Sequence, residues 1–205
     1  FNKLDFNTTG IPFAKRIELA YCKSVPQVVY AALEDPTGGF QSGFLGIYKT
    51  TDGGQNWEEV SNPDDIPNYR FSFPWYAFLF EVSPVDPNFL IIGSVDAVFS
   101  RNGGQTWELV DEGHVDYHIA VFDPHDPDQI FIGNDGGLYN YNKALINATH
   151  FDLNNDYNVT QFYAGAFFPN ELRVLGGTQD NGTYLGKSLD SEYNRVYGGD
   201  GAYSQ

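Results

Sequence analysis

Apolar residues along this chain gather in short runs of aromatic and β-branched side chains, separated by clusters of Pro, Gly, Asn and Asp. Residues 18–22, 28–33, 76–82, 119–122 and 162–168 are such runs, and none repeats at helical spacing. The intervening turns alternate in kind. Pro-rich turns, such as Ser83-Pro84-Val85-Asp86-Pro87 and Asp123-Pro124-His125-Asp126-Pro127, follow one class of strand, and tight Gly-containing turns follow another. The pattern predicts strand, Pro-rich turn, strand and tight turn, repeated over 15–60, 76–110, 116–157 and 161–190, with a further unit opening at 194–205. Units of roughly forty to fifty residues are the size of four-stranded propeller blades. The expected fold is therefore all-β, a β-propeller of such blades. Because closed rings usually hold more of them, about six to eight, the chain reads as an incomplete piece of a larger or tandem propeller.

One segment occurs twice about fifty residues apart, as Thr50-Thr51-Asp52-Gly53-Gly54-Gln55-Asn56-Trp57 and Ser100-Arg101-Asn102-Gly103-Gly104-Gln105-Thr106-Trp107. Its logic is mechanical. Asp52 can accept from backbone N–H groups of its own turn, Gly53 and Gly54 can take positive φ, and Trp57 can fold back to plug the hairpin. In the second copy Asn102 stands in place of the aspartate and can still make the turn, with Trp107 as the plug. Asp52, Trp57, Asn102 and Trp107 are thus expected to be structural. No third copy exists; Lys143 to Tyr157 occupies its place as a polar, Asn-rich, lengthened connection.

Composition narrows the partners. Eleven Lys and Arg face twenty-seven Asp and Glu, a net charge of -16 with no basic cluster, which argues against a nucleic-acid partner. Cys22 is alone in an apolar strand, so a disulfide framework is absent. No stretch reaches membrane-spanning length. Asn7, Asn147, Asn158 and Asn181 begin glycosylation sequons.

The two boxes, with Gly46-Ile47-Tyr48-Lys49 before the first, resemble those of the Asp-box, or bacterial-neuraminidase-repeat, β-propellers. That superfamily holds sialidases, xyloglucan-hydrolysing tandem propellers and sortilin-type ectodomains. His114-Val115-Asp116-Tyr117-His118, Gly133-Asn134-Asp135-Gly136-Gly137, Gln161-Phe162-Tyr163 and Gly177-Thr178-Gln179-Asp180-Asn181-Gly182-Thr183 look like its sortilin-like and xyloglucanase-like secreted subgroup. The resemblance implies an extracellular location and, as partners, remaining blades or a second propeller of the same protein. It leaves the activity open. A sialidase would need an arginine cluster for its substrate carboxylate, and no neuraminidase-type Arg-Ile-Pro segment is present. A xyloglucanase would need one carboxylate from each of two propellers across a cleft.

Two candidate sites follow. His114, Asp116 and His118 alternate, so on a strand they would share a face; with Asp200 they offer donors for a divalent transition ion such as zinc. Oxygens of Asp135 and Asp180 would instead suit calcium. The bland alternative is that these groups tie adjacent turns together. The run Phe71-Ser72-Phe73-Pro74-Trp75-Tyr76 is either a sugar-stacking platform centred on Trp75 and Tyr76 or a loop buried against a neighbouring blade. Gln179, Asp180 and Asn181 lie at a turn that would flank a glycan or protein ligand. Three readings compete: a recognition or scaffold propeller, part of a glycoside hydrolase acting on β-glucan, and a metal-dependent site at the channel mouth.

Overall fold

The computed structural model describes residues 9–37, 43–66, 71–111, 113–155, 160–187 and 193–201. They build four antiparallel four-stranded sheets in chain order. The first holds β1 (Ile17–Tyr21), β2 (Val29–Glu34), β3 (Phe44–Thr50) and β4 (Glu58–Ser61), and the second β5 (Leu79–Val82), β6 (Leu90–Gly93), β7 (Ala97–Ser100) and β8 (Glu108–Leu109). The third holds β9 (Tyr117–Phe122), β10 (Gln129–Asn134), β11 (Gly137–Asn142) and β12 (Phe151–Asp152). The fourth holds β13 (Phe162–Phe167), β14 (Val174–Thr178), β15 (Gly182–Gly186) and β16 (Tyr193–Tyr197). Four-stranded meanders of this kind are propeller blades. The chain divides into two compact units, Phe1–Asn155 with the first three sheets and Asp156–Gln205 with the fourth.

In the first unit the sheets pack face to face. Leu90 and Ile92 of β6 join Tyr30, Ala32 and Ile47 of the first sheet in one core, whereas Ile91 and Phe99 join Ile130, Ile132 and Tyr141 of the third sheet in another. This explains why β6 is apolar throughout: successive side chains point to opposite faces, and both faces are covered. Each fully buried Leu or Ile contributes about 1.5–3 kcal/mol of transfer free energy. Tyr30 reaches across as well, its hydroxyl donating to the Pro87 carbonyl at 2.9 Å.

The repeated box joins the third strand to the fourth in both sheets that carry it. In the first copy Asp52 Oδ1 accepts from the Gln55 and Asn56 amides at 2.9 and 3.0 Å, Thr50 Oγ1 accepts from the Gly54 amide at 3.0 Å, and Trp57 Nε1 donates to the Gly54 carbonyl at 3.2 Å. Gly53 and Gly54 sit at φ of 74° and 91°, the left-handed region that favours glycine. In the second copy Asn102 Oδ1 accepts from the Thr106 amide at 2.9 Å, and its Nδ2 donates to Thr106 Oγ1 at 2.9 Å. An amide therefore closes the same loop as a carboxylate. The third sheet uses a different connection. Residues 143–150 form a compact loop rather than a loose one, with Ile146 fully buried, its carbonyl accepting from the Asp111 amide at 2.7 Å, and His150 bonded to Asp111 at 2.7 Å. Residues 156 and 157 of that expected connection lie outside the described residues.

Two expectations change. Residues 194–197, read from sequence as the opening of a further unit at 194–205, belong to β16, which pairs antiparallel with β15 as the outer strand of the fourth sheet. Without it the outer edge of β15 would leave a row of backbone donors and acceptors bare. The second change concerns His114, Asp116 and His118. The strand begins only at Tyr117, and Asp116 sits at φ 63°, so the two-residue alternation that would put all three on one face is broken before it starts.

Among the described residues, no helix is long and apolar enough to cross a membrane.

Candidate functional site

Because each sheet is a meander, the Pro-rich and box turns fall at one end. The turns joining second to third strands, together with the segments leading into each first strand, fall at the other, the upper end. In the first unit the segment leading into β5 supplies the aromatic run, and it splits by direction. Phe71 turns inward, its ring 5.2 Å from Phe44 and 4.9 Å from Phe78. Trp75 and Tyr76 turn outward and remain 44% and 46% exposed, large areas for aromatic rings. A tight turn sets this division. Phe73 takes φ 63°, and its carbonyl accepts from both the Tyr76 and Ala77 amides, at 2.8 and 3.0 Å. The rings then run in series, with Trp75 5.9 Å from Tyr76 and Tyr76 edge-on to His118 at 5.0 Å.

His118 stands on β9 of the third sheet. Its Nε2 lies 2.6 Å from Oδ1 of Asp135, in the turn between β10 and β11, a short hydrogen bond of the charge-assisted kind. Asp116 brings a carboxylate oxygen within 4.8 Å of one from Asp135. Asn134 braces the same corner, donating from Nδ2 to the His114 carbonyl at 2.9 Å and accepting from the Gly136 amide at 3.0 Å. His114 bonds locally through Nδ1 to the Val115 carbonyl at 3.1 Å. The expected histidine pair is thus not gathered: His118 is committed to Asp135, and among the described residues no group of three metal-type donors includes His114. Among the described residues of this end, Lys15 is paired with Glu34 at 3.1 Å and Arg16 with Glu18 at 2.7 Å. Asp135 as the partner of His118, and Arg16 beneath the aromatic turn, are what sequence reasoning missed. The Gly133 to Gly137 turn signal locates Asp135, whereas nothing in the sequence points to Arg16.

The second unit has its own upper end. Gln179, Asp180 and Asn181 form the turn between β14 and β15, where the Asn181 amide donates to the Gln179 carbonyl at 2.6 Å and Asn181 Nδ2 to the same oxygen at 3.1 Å. Asp180 takes φ 57°, and its amide donates to Asp200 Oδ1 at 3.0 Å. Asp200 therefore holds the neighbouring turn of its own sheet. Loss of hydration, followed by the charges of Asp200 and Asp180, pushes the Tyr163 hydroxyl up. Of the sequons, Asn147 is exposed, Asn181 is turned onto its own loop, and Asn7 and Asn158 lie outside the described residues.

At the lower end of the first unit a cavity of about 590 Å³ is lined by Leu19, Tyr21, Glu81 and Val121 of the three first strands, with Lys23 and Asp123 at its margin. Burial pushes the Glu81 carboxyl up.

No protein-family model and no curated protein matches the sequence. Solved structures do share the fold. The GH74 enzyme of Niastella koreensis superposes with a TM-score of 0.54 at 18% identity, covering 88% of this chain and 30% of that one. The GH74 xyloglucanase from Xanthomonas campestris gives 0.50 at 14% identity, covering 89% and 31%. The chain spans about a third of the length of either. At such identities the likeness concerns the backbone, and it agrees with the sheet topology: the fold is a β-propeller.

Proposed function

We propose that this chain is part of an extracellular Asp-box propeller, a module of a larger secreted protein, and that the upper end of its first three blades recognises a glycan. The observation that carries the reading is the outward-facing Trp75 and Tyr76 beside the His118–Asp135 pair. Sugar rings present apolar C–H faces and a rim of hydroxyls, which suit an exposed aromatic face flanked by fixed hydrogen-bonding groups. The acidic surface and paired cations favour an uncharged ligand over a nucleic acid or an acidic polymer. Sharing a fold with the Xanthomonas campestris xyloglucanase makes a β-glucan the first ligand to try.

Calorimetric titration with xyloglucan oligosaccharides tests the reading. Trp75→Ala is expected to weaken binding about tenfold, or ~1.4 kcal/mol, while the melting temperature holds. Equal affinity in wild type and Trp75→Ala would remove the platform from the account.

A second reading, part of a glycoside hydrolase, draws on Asp135 lying beside that platform as one of the two carboxylates that flank a bound sugar, the other to come from a second propeller. Release of reducing ends from xyloglucan, abolished by Asp135→Asn, would favour it over recognition alone.

A further inference from the structure

We infer that Arg16 is the positioning residue of the Trp75–Tyr76 platform, an inference that rests on the glycan-binding reading above. Arg16 immediately precedes β1 in the first sheet, yet its side chain works on the second. Its Nη1 donates to the Pro74 carbonyl at 2.7 Å and to the Trp75 carbonyl at 3.2 Å. On its other side Nε and Nη2 both meet Glu18 Oε1, at 2.8 and 2.7 Å. The guanidinium carbon also lies 5.6 Å from the centre of the Phe78 ring. The backbone of Arg16 is fixed in turn, its carbonyl accepting from the Glu34 amide at 2.9 Å.

The aromatic run is held at both ends, Ser94 Oγ donating to the Ser72 carbonyl at 2.5 Å before the turn and Arg16 binding beyond it. Within the turn the Phe73 carbonyl takes both the Tyr76 and Ala77 amides. The carbonyls of Pro74 and Trp75 take no part in that pair of bonds, and the guanidinium of Arg16 binds both. A planar fork can hold two carbonyls and a carboxylate at once, whereas an ammonium group is a single point with rotating donors and cannot reproduce the arrangement. Arg16 thereby sets the angle at which the Trp75 ring stands, and Glu18 sets the angle of Arg16. Arg16 reads no ligand group itself. It acts through the turn, so its loss should alter the platform and leave the blades intact.

The test compares Arg16→Lys and Trp75→Ala with the wild-type chain labelled with 5-fluorotryptophan. The three tryptophans give three fluorine resonances, and Trp75→Ala assigns one of them. Arg16→Lys is expected to shift or broaden the Trp75 resonance, to leave those of Trp57 and Trp107 in place, and to weaken xyloglucan-oligosaccharide binding about tenfold. An unmoved Trp75 resonance, wild-type affinity, or a change in all three resonances with a fall in melting temperature would each overturn the inference. Failure of the parent reading looks different: Trp75→Ala would then bind as tightly as wild type, whatever Arg16→Lys does to the fluorine spectrum. Glu18→Gln supplies an internal check, because it keeps an acceptor for Arg16 and should reproduce the Arg16→Lys effects only weakly.

Discussion

Trp107 Nε1 lies 3.0 Å from Ser61 Oγ, so the indole that plugs the second blade's box donates into the last strand of the first blade. The same N–H also faces the Gly104 carbonyl at 3.1 Å, and the ring is 5% exposed. One side chain thus closes a turn and joins two blades. Ser61→Ala leaves the indole its second acceptor and should cost only about 0.5–1.5 kcal/mol. Trp107→Ala empties a packed site between sheets and should cost about 3–5 kcal/mol. Urea unfolding of both variants would show the asymmetry, and comparable losses would refute it.

The first box predicts a pH signature. Hydrogen bonds from the Asn56 side chain and amide, then from Thr50, hold the Asp52 carboxyl down at about 2, against an ordinary value of 3.8. A carboxyl depressed in the folded state contributes stability that is present above its unfolded value and is lost as pH falls through its folded value. Melting temperatures from pH 7 to pH 2 should therefore show wild type ahead of Asp52→Asn at neutral pH, with the gap closing on acidification. The amide of Asn102 already closes an equivalent turn, so Asp52→Asn should fold at every pH. A gap that is constant with pH would show that the carboxylate charge is immaterial.

In the third blade, Gly137 sits at φ 120°, and a Cβ there would come within 2.6 Å of Asn154 Cγ and Nδ2. Asn154 cannot swing aside freely, because Oδ1 accepts from the Leu138 amide at 2.9 Å and Nδ2 donates to the Gly136 carbonyl at 3.1 Å. Gly137→Ala should destabilise by about 2–4 kcal/mol, part of it backbone strain and part lost hydrogen bonding. In the double variant with Asn154→Ala the steric part vanishes and the φ part remains. A double-mutant cycle by chemical denaturation separates the two, and strict additivity would contradict the clash.

His118 is about one-third exposed and bonded to Asp135, an arrangement of modest structural worth, within about 1 kcal/mol, at a surface. His118→Ala should accordingly leave the melting temperature nearly unchanged while lowering oligosaccharide affinity, since it removes both the edge-on neighbour of Tyr76 and the partner of Asp135. A large loss of stability with intact binding would recast His118 as a brace.

What the chain discloses before folding follows the range of the interactions. The box hairpins are legible because every bond that closes one, from Thr50 Oγ1 to Trp57 Nε1, joins residues within eight positions. Strand positions are legible from runs such as Leu90 to Gly93, whose uniform apolarity reflects cover on both faces. The membership of Tyr193–Tyr197 is not, because a strand's sheet is decided by its partner's free edge rather than by its own residues. The site is hidden for a similar reason. His118 meets Asp135 across a turn, Arg16 meets Trp75 across two blades, and the left-handed Asp116 breaks an alternation that looks regular on paper.

Such closeness in sequence has a kinetic side. The outer hairpins, β3 with β4 and β7 with β8, have turns closed by hydrogen bonds between residues a few positions apart, so little chain entropy is lost in bringing their ends together. Hairpins of this sort close on the order of 1–10 μs. The inner strands β1, β5 and β9 come against one another only when the three sheets assemble. Folding of the first unit should thus begin at its periphery and finish at its axis, with Trp107, shared by turn and neighbour, marking the moment at which two blades become one body.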